Sequence, residues 1–381
     1  MRAPPIRSWP WTGDRVNLFF AGGGSGGHLY PALAIARAVV AADSRIEPFF
    51  IGARRGIERE ILPGAEFPFE LLDLHPLYRA QPWLNWRTAA GSASSWRRIA
   101  RLVREKRPRA LVATGGYASG VALAVATTRG LPIVIQDQNS FPGLTVRWFS
   151  SRATQIHLGF PEAASMLRPG PRTRVFNSGN PISPPPPPAE RPTRAEAAAV
   201  WGFEGALRPT VLVFGGSQGA EGINRVVAKW GPAASGRLHI IWATGRANHE
   251  RYASLQTPAL RVVPYISPMS SAYAAADIAV TRAGAMTTAE LLAWGIPAVL
   301  IPLPSAAADH QTANARTLAA AGAVVMIRQD VLTAELLAAT VDGLVDSPGS
   351  LHEMREKALL RARPDAAQDI AVKILEMDCF K

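Results

Sequence analysis

The chain has 381 residues, more than one hydrophobic core usually supports, so two domains are expected; 48% hydrophobic and 18% charged residues exclude a disordered or coiled-coil protein. A formal net charge of +12 favours a polyanionic partner, whether nucleic acid, an anionic membrane or a phosphorylated substrate. The lone Cys379 excludes an intramolecular disulfide framework and a cysteine-based zinc cluster, residues 1–14 lack the apolar core of an export signal, and no run approaches the length of a bilayer-spanning helix, so a cytoplasmic chain is expected.

The first element is a β-branched and aromatic run at 15–21, followed by a glycine loop at 22–27 and a helix at 29–42 with Pro31 in its first turn. Short apolar runs at 47–51, 110–113 and 133–136 read as further buried strands. The unit then recurs half a chain later: strand 210–214, glycine loop 215–219, helix 220–230, with strands at 239–243, 261–263, 278–281 and 298–301. Helical stretches alternate with most of these strands, the pattern of parallel, doubly wound sheets, and the fold class is α/β with two Rossmann-like domains. Pro184 to Pro188 between the halves form a polyproline linker. The C-terminal stretch 351–381 reads as charged helix with a break at Pro364.

Between Leu77 and Arg109 the chain carries Trp83, Trp86 and Trp96 among Arg79, Arg87, Arg97, Arg98, Arg101, Arg104, Lys106 and Arg107, with Glu105 the lone acid. Tryptophan settles at the bilayer interface and basic residues are drawn to anionic lipid, so this segment reads as a peripheral docking surface. The competing readings are an ordinary amphipathic helix with its tryptophans in the core and an RNA-binding stretch, the latter without any accompanying nucleic-acid motif. The remaining histidines are scattered without ligand spacing, so no metal site is expected.

Gly22, Gly24 and Gly27 fit G-x-G-x-x-G on a strand-to-helix turn, where amides and a helix N-terminus approach an anion. Two uses are open. An NADP-dependent oxidoreductase would hold pyrophosphate there, with Arg54 and Arg55 on a 2′-phosphate. Against this, the loop ends in a titratable His28, and the second loop, with Ser217 at its centre, offers another phosphate cradle that a single dinucleotide does not need.

Seven stretches in order carry a resemblance: GGGSGGHLYPALAIA at 22–36, GGYASG at 115–120, QDQNSFPG at 136–143, GNPI at 179–182, GGSQGAEGIN at 215–224, RAGAMTTAE at 282–290 and DHQTAN at 309–314. Together they resemble the MurG family, the family 28 UDP-N-acetylglucosamine transferases of peptidoglycan synthesis. The resemblance implies a GT-B fold with two Rossmann-like domains facing across a cleft, acceptor on the N-terminal side and donor on the C-terminal side. With the proline run as boundary, the expected division is 1–182 an acceptor and membrane-docking domain, 183–192 a Pro-rich linker, 193–360 a UDP-sugar-binding domain, and 361–381 a helix packing back on the first domain. It implies transfer of N-acetylglucosamine from UDP-GlcNAc to the C4 hydroxyl of the MurNAc unit of lipid I, giving lipid II, at the cytoplasmic face of the membrane, with no metal or other cofactor and no nucleic acid.

By the same resemblance Glu290 accepts the ribose hydroxyls, within a segment Ala285, Met286, Thr287, Thr288, Ala289 that wraps the UDP. Ser217 belongs to the donor loop, the Ile266 backbone reads the uracil edge, Gln311 contacts the sugar, and Asn139 with Ser25, Gly26 and Gly27 lies near the sugar from the other domain. By helical spacing rather than resemblance, Asn314 lies one turn along from Gln311 on the same helix face and is expected to assist. His28 is the expected general base and Asp137 the second candidate. Two positions depart from the family pattern: Gln136-Asp137 stands where His-Glu is usual, and Ser183 where an arginine follows Gly-Asn-Pro-Ile, so acceptor geometry or rate is expected to differ, down to a catalytically silent relative that still binds UDP-sugar or lipid.

Overall fold

The protein was analysed as a computed structural model that describes residues 15–76, 78, 81, 83, 85–203, 208–216 and 219–381; Ser217 of the second loop and Leu77 and Arg79 of the basic segment lie outside them. Among the described residues thirteen strands form two sheets. The first contains β1 (Val16–Gly22), β2 (Ile46–Ala53), β3 (Phe69–Leu72), β4 (Ala110–Gly115), β5 (Ile133–Asp137), β6 (Gln155–Leu158) and β7 (Arg174–Phe176), in the order β3-β2-β1-β4-β5-β6-β7. The second contains β8 (Thr210–Phe214), β9 (His239–Ala243), β10 (Leu260–Val263), β11 (Ile278–Thr281), β12 (Ala298–Leu300) and β13 (Val324–Met326), in the order β10-β9-β8-β11-β12-β13.

The paired strands run parallel throughout. The central strands β4, β5, β8 and β9 are buried along their whole length, which is why they are legible as unbroken apolar runs. In each sheet the strand order reverses beside the first strand of its half, β1 or β8. A glycine loop leaves the carboxyl end of each, at the crevice where open α/β sheets bind ligands.

Helices cover both faces. The first half carries α1 (Gly26–Ala42), α2 (Glu58–Ile61), α3 (Asn85–Lys106), α4 (Tyr117–Thr128) and α5 (Leu144–Phe149). The second carries α6 (Arg194–Val200), α7 (Glu221–Ala234), α8 (His249–Tyr252), α9 (Met269–Ala275), α10 (Ala285–Trp294), α11 (His310–Ala320), α12 (Ala334–Val345) and α13 (Pro348–Arg361). After a break containing Pro364, α14 (Ala366–Leu375) crosses to the first half, where Ile370, Ala371 and Ile374 are buried with Leu29 and Leu33 of α1 and Phe20 of β1.

Helix α1 starts earlier than its apolar spacing predicts. Ser25 is extended, with φ −149 and ψ 161, and forms the N-cap position, so Gly26 and Gly27 already belong to the helix and Pro31 sits in its second turn. Four strands escaped the sequence reading. β7 has mostly exposed side chains, β3 and β13 are short edge or near-edge strands, and β6 places the buried polar residues Gln155 and His157 in its run.

Candidate active site

The first glycine loop is held by side chains rather than left open for an anion. Glu58, fully buried at the start of α2, accepts the Gly24 amide through Oε2 and the Ala53 amide through Oε1, each at 3.0 Å. Gly24 has φ +88, and a Cβ there would meet the Tyr117 ring at 2.6 Å, so glycine is required by backbone geometry and by packing. The dinucleotide reading fails on the same contacts. The Gly24 amide is occupied by a carboxylate, Arg54 is turned to the Leu71 carbonyl, and Arg55 lies 3.7 Å from Asp73.

His28 enters the cleft from the first turns of α1. Its Nδ1 lies 2.9 Å from both the Thr114 carbonyl and Gln138 Oε1. A carbonyl oxygen only accepts, so Nδ1 carries the proton and Nε2 keeps its lone pair; no hydrogen bond reaches Nε2 among the described residues. Burial holds the imidazole below its ordinary 6.5, with hydrogen bonding to Gln138 and Thr114 opposing the shift and the charge of His310 adding to it. The structure joins Gln138 to His28, not Asp137. Asp137 is buried, its oxygens accept the amides of Asn139 and Gly143 at 2.9 and 3.1 Å, and burial pushes its carboxyl up to about 6 against those bonds. It closes the turn that presents residues 138–143.

Gln136 extends the same network. Gln138 Nε2 donates to Gln136 Oε1 and to the Thr114 carbonyl, Gln136 Nε2 donates to Asn180 Oδ1 at 3.2 Å, and Asn180 Nδ2 donates to the Gln138 carbonyl at 3.0 Å and to the Ala285 carbonyl at 3.3 Å. These buried amides satisfy one another and reach the first residue of α10 in the other domain. The non-family residue Gln136 is therefore fully partnered. Ser25 is exposed at the helix cap and Gly26 and Gly27 form its first turn.

Across the cleft the second glycine loop opens on a cavity of about 420 Å³, lined by Gly215, Gly216, Gly219, Arg282, Thr287 and Gln311 among others. Gly219, at φ +78, approaches the Thr244 carbonyl so closely that a Cβ would lie 2.2 Å from it. Arg282 is buried with no carboxylate among its described partners. It donates to the carbonyls of Ile301 and Pro302 at 3.1 and 3.2 Å and to Gln329 Oε1 at 2.5 Å, and burial lowers it to about 10. Ser183 is exposed at the start of the linker, and the cations lining this cavity are Arg225, which lies 4.0 Å from Glu221 on the same rim, and the buried Arg282 of the RAGAMTTAE motif, to which the sequence reading assigns no role. Its signal was a basic residue at a strand end just before the α10 turn.

Gln311 Oε1 accepts the Leu303 amide at 3.0 Å, which leaves its amide nitrogen to the cavity. Thr287 also lines that cavity, whereas Thr288 is buried and donates to the Ala285 carbonyl at 3.0 Å. Ala285 and Met286 form the half-buried first turn of α10; Ala289 faces a smaller cavity of about 150 Å³ at the domain junction with Asn180 and Arg361. Glu290 is the sixth residue of α10 and so does not cap it. Tyr273 donates to its Oε2 at 2.6 Å, and burial raises its carboxyl while that bond lowers it. Ile266 is buried in the second-domain core. Asn139 accepts a hydrogen bond at 3.1 Å from Asn314, which crosses from α11.

The tryptophans of the basic segment are not core. Trp83 is 69% and Trp86 64% exposed, and Trp96 and, on α5, Trp148 are also exposed, while α3 buries Gly91, Ser95, Ile99 and Leu102. Among the described residues no helix is long and apolar enough to cross a membrane, and no group of three or more His, Cys, Asp or Glu side chains is placed to hold a metal ion.

Residues 18–158 match the glycosyltransferase family 28 N-terminal domain and residues 210–370 the glycosyltransferase family 28 C-terminal domain. The chain is 38% identical over 368 residues to a UDP-N-acetylglucosamine--N-acetylmuramyl-(pentapeptide) pyrophosphoryl-undecaprenol N-acetylglucosamine transferase of Prosthecochloris aestuarii, covering 94% of this chain and 98% of that one. It is 39% identical over 369 residues to the protein of the same name from Salinibacter ruber, covering 95% and 96%. Among solved structures, the crystal structure of MurG from Acinetobacter baumannii superposes with a TM-score of 0.75 at 26% identity, covering 95% of this chain and all of that one.

Proposed function

This chain belongs to glycosyltransferase family 28, among the UDP-N-acetylglucosamine--N-acetylmuramyl-(pentapeptide) pyrophosphoryl-undecaprenol N-acetylglucosamine transferases, and from that membership we propose that it transfers N-acetylglucosamine from UDP-N-acetylglucosamine to lipid I, giving lipid II. The observation that carries the chemistry is the pairing of a neutral imidazole having a free Nε2 with a cation-lined cavity on the facing domain. The acceptor C4 hydroxyl loses its proton to His28 Nε2 as its oxygen attacks the anomeric carbon from the face opposite UDP, so the configuration inverts. The diphosphate leaves with growing negative charge against Arg282, the loop amides and the α10 N-terminus.

In this reading Glu290, steadied by Tyr273, accepts the ribose hydroxyls, the Ile266 backbone meets the uracil, and Gln311 and Asn139 meet the sugar. Asp137 is a positioning residue for the 138–143 turn rather than a second base.

The test is transfer of labelled N-acetylglucosamine from the UDP-sugar to a lipid I analogue. We expect transfer, and a kcat lower by on the order of 10²-fold in His28→Ala. UDP-sugar binding without transfer would leave only a silent relative, and unchanged turnover in His28→Ala would remove the base assignment.

The acceptor is lipid-linked, and the exposed tryptophans with the basic residues of α3 support peripheral docking of the first domain on the cytoplasmic face of the membrane. Sedimentation with anionic vesicles is expected to exceed that with neutral ones; negligible binding to both removes this part.

A further inference from the structure

Asn314 is fully buried, sits on a helix of the donor domain and spends its whole hydrogen-bonding capacity at the domain boundary. Its Oδ1 accepts the Ser140 amide at 2.8 Å and the Ser140 hydroxyl at 3.1 Å; its Nδ2 donates to the Ala283 carbonyl at 3.2 Å and to Asn139 Oδ1 at 3.1 Å. Two of these partners admit only one role. The Ser140 N–H can only donate and the Ala283 carbonyl can only accept, so the oxygen and nitrogen of the Asn314 amide cannot be exchanged.

That orientation passes to the next residue. Because Asn314 presents N–H to Asn139, Asn139 must answer with its oxygen, and its own NH₂ is left over. Asn139 is half-buried, and no hydrogen bond reaches that NH₂ among the described residues. Its backbone amide is fixed independently by Asp137 Oδ1.

We propose that Asn314 is a positioning residue for the transfer reaction: reaching across the domain boundary, it turns the Asn139 amide so that an N–H donor, not a carbonyl acceptor, faces the donor sugar. The inference deepens the reading that Asn139 meets the sugar and rests on it. A hydroxyl or acetamido oxygen of the sugar is the group such a donor selects. The same amide holds the Ala283 carbonyl beside the α10 turn, so the sugar-facing donor is set only while the two domains are together. An isolated first domain would leave Asn139 free to rotate.

The experiment is calorimetric titration of the full chain with UDP and, separately, with UDP-N-acetylglucosamine. Asn314→Asp keeps the acceptor for Ser140 but has no donor, so Asn139 turns its NH₂ toward the new carboxylate and away from the sugar. The expected result is about a tenfold loss for UDP-N-acetylglucosamine with UDP bound within about twofold of wild type, because only the sugar contact changes. Equal losses for both ligands would show that Asn314 only packs the domains, and no loss for either would show that it orients nothing; both outcomes overturn the proposal. Asn314→Ala, read by the same ratio, serves if the aspartate variant does not fold.

Asn139→Ala and Asn139→Asp separate this inference from the reading beneath it. If Asn139→Ala binds UDP-N-acetylglucosamine like wild type, Asn139 does not meet the sugar and the underlying reading fails. If Asn139→Ala loses affinity and Asn139→Asp does not, the sugar meets an oxygen and the proposed orientation fails. Selective loss in Asn139→Asp together with Asn314→Asp is the expected pattern.

Discussion

The two glycine loops leave equivalent strands, β1 and β8, at equivalent reversals of strand order, yet the buried charged side chain beside each is of opposite sign. Beside the first loop stands Glu58, whose carboxylate takes a loop amide, with the Tyr117 ring against Gly24. Beside the second stands Arg282, with about 420 Å³ of space in front of it. The same backbone device is thus filled in one domain and open to an anion in the other. A glycine pattern specifies where a loop lets something come close; the neighbouring side chain decides whether that something is the protein itself or a ligand.

The comparison breaks most directly at Arg282. Arg282→Met should weaken UDP binding by on the order of 100-fold, since a charge-assisted bond to phosphate is lost from a desolvated site, and calorimetry with UDP reads it directly. Retained affinity would mean that the second cavity does not use its buried cation. Glu58→Gln tests the other loop. An amide there turns its NH₂ toward a backbone N–H, so urea unfolding should show a loss of about 2 kcal/mol while UDP affinity stays as in wild type. A drop in UDP affinity with unchanged stability would place nucleotide at the first loop and undo the contrast.

The smallest expected effect concerns His28, which ends the first loop. A base must be unprotonated, and burial lowers the folded pKa, so kcat/KM should hold as pH falls to 6.5 and decline only below it. Gln138→Glu puts a carboxylate on Nδ1–H, favours the imidazolium and should move that acid limb upward. A wild-type limb above 6.5 would contradict the environment described.

Much of this architecture is legible in the sequence because its central strands are buried on both faces. The runs at 210–214, 239–243 and 278–281 coincide with β8, β9 and β11, and the glycine loops mark both crevices. What escaped was set by tertiary context. β7 and β13 are short outer strands with little burial, and β6 carries Gln155, which donates to the Lys373 carbonyl of α14, and His157, which bonds Ser178. Neither polar residue looks like a strand core until its distant partner is known.

The site divides the same way. His28, Glu290 and Gln311 are prominent through their motifs. Glu58 has no such mark: an acid in the stretch ARRGIERE looks solvated, and only the fold shows it inside with two amides on it. The unusual Gln136 reads as a lost imidazole in sequence, whereas packing gives it a donor and an acceptor role between Gln138 and Asn180. Asn314 was expected to assist at the sugar, and its four bonds instead go to protein groups of both domains.

Helix α14 adds a consequence in time. The apolar face of α1, including Leu29 and Leu33, shares a core with Ile370, Ala371 and Ile374, so the first half of the molecule is completed by residues made only after the second half. Until then that face lacks its α14 cover, and transiently exposed apolar surface of this kind favours aggregation. The chain crosses between its halves twice, at the proline linker and at α13 to α14, and synthesis must finish the second crossing before the histidine-bearing helix has its full support.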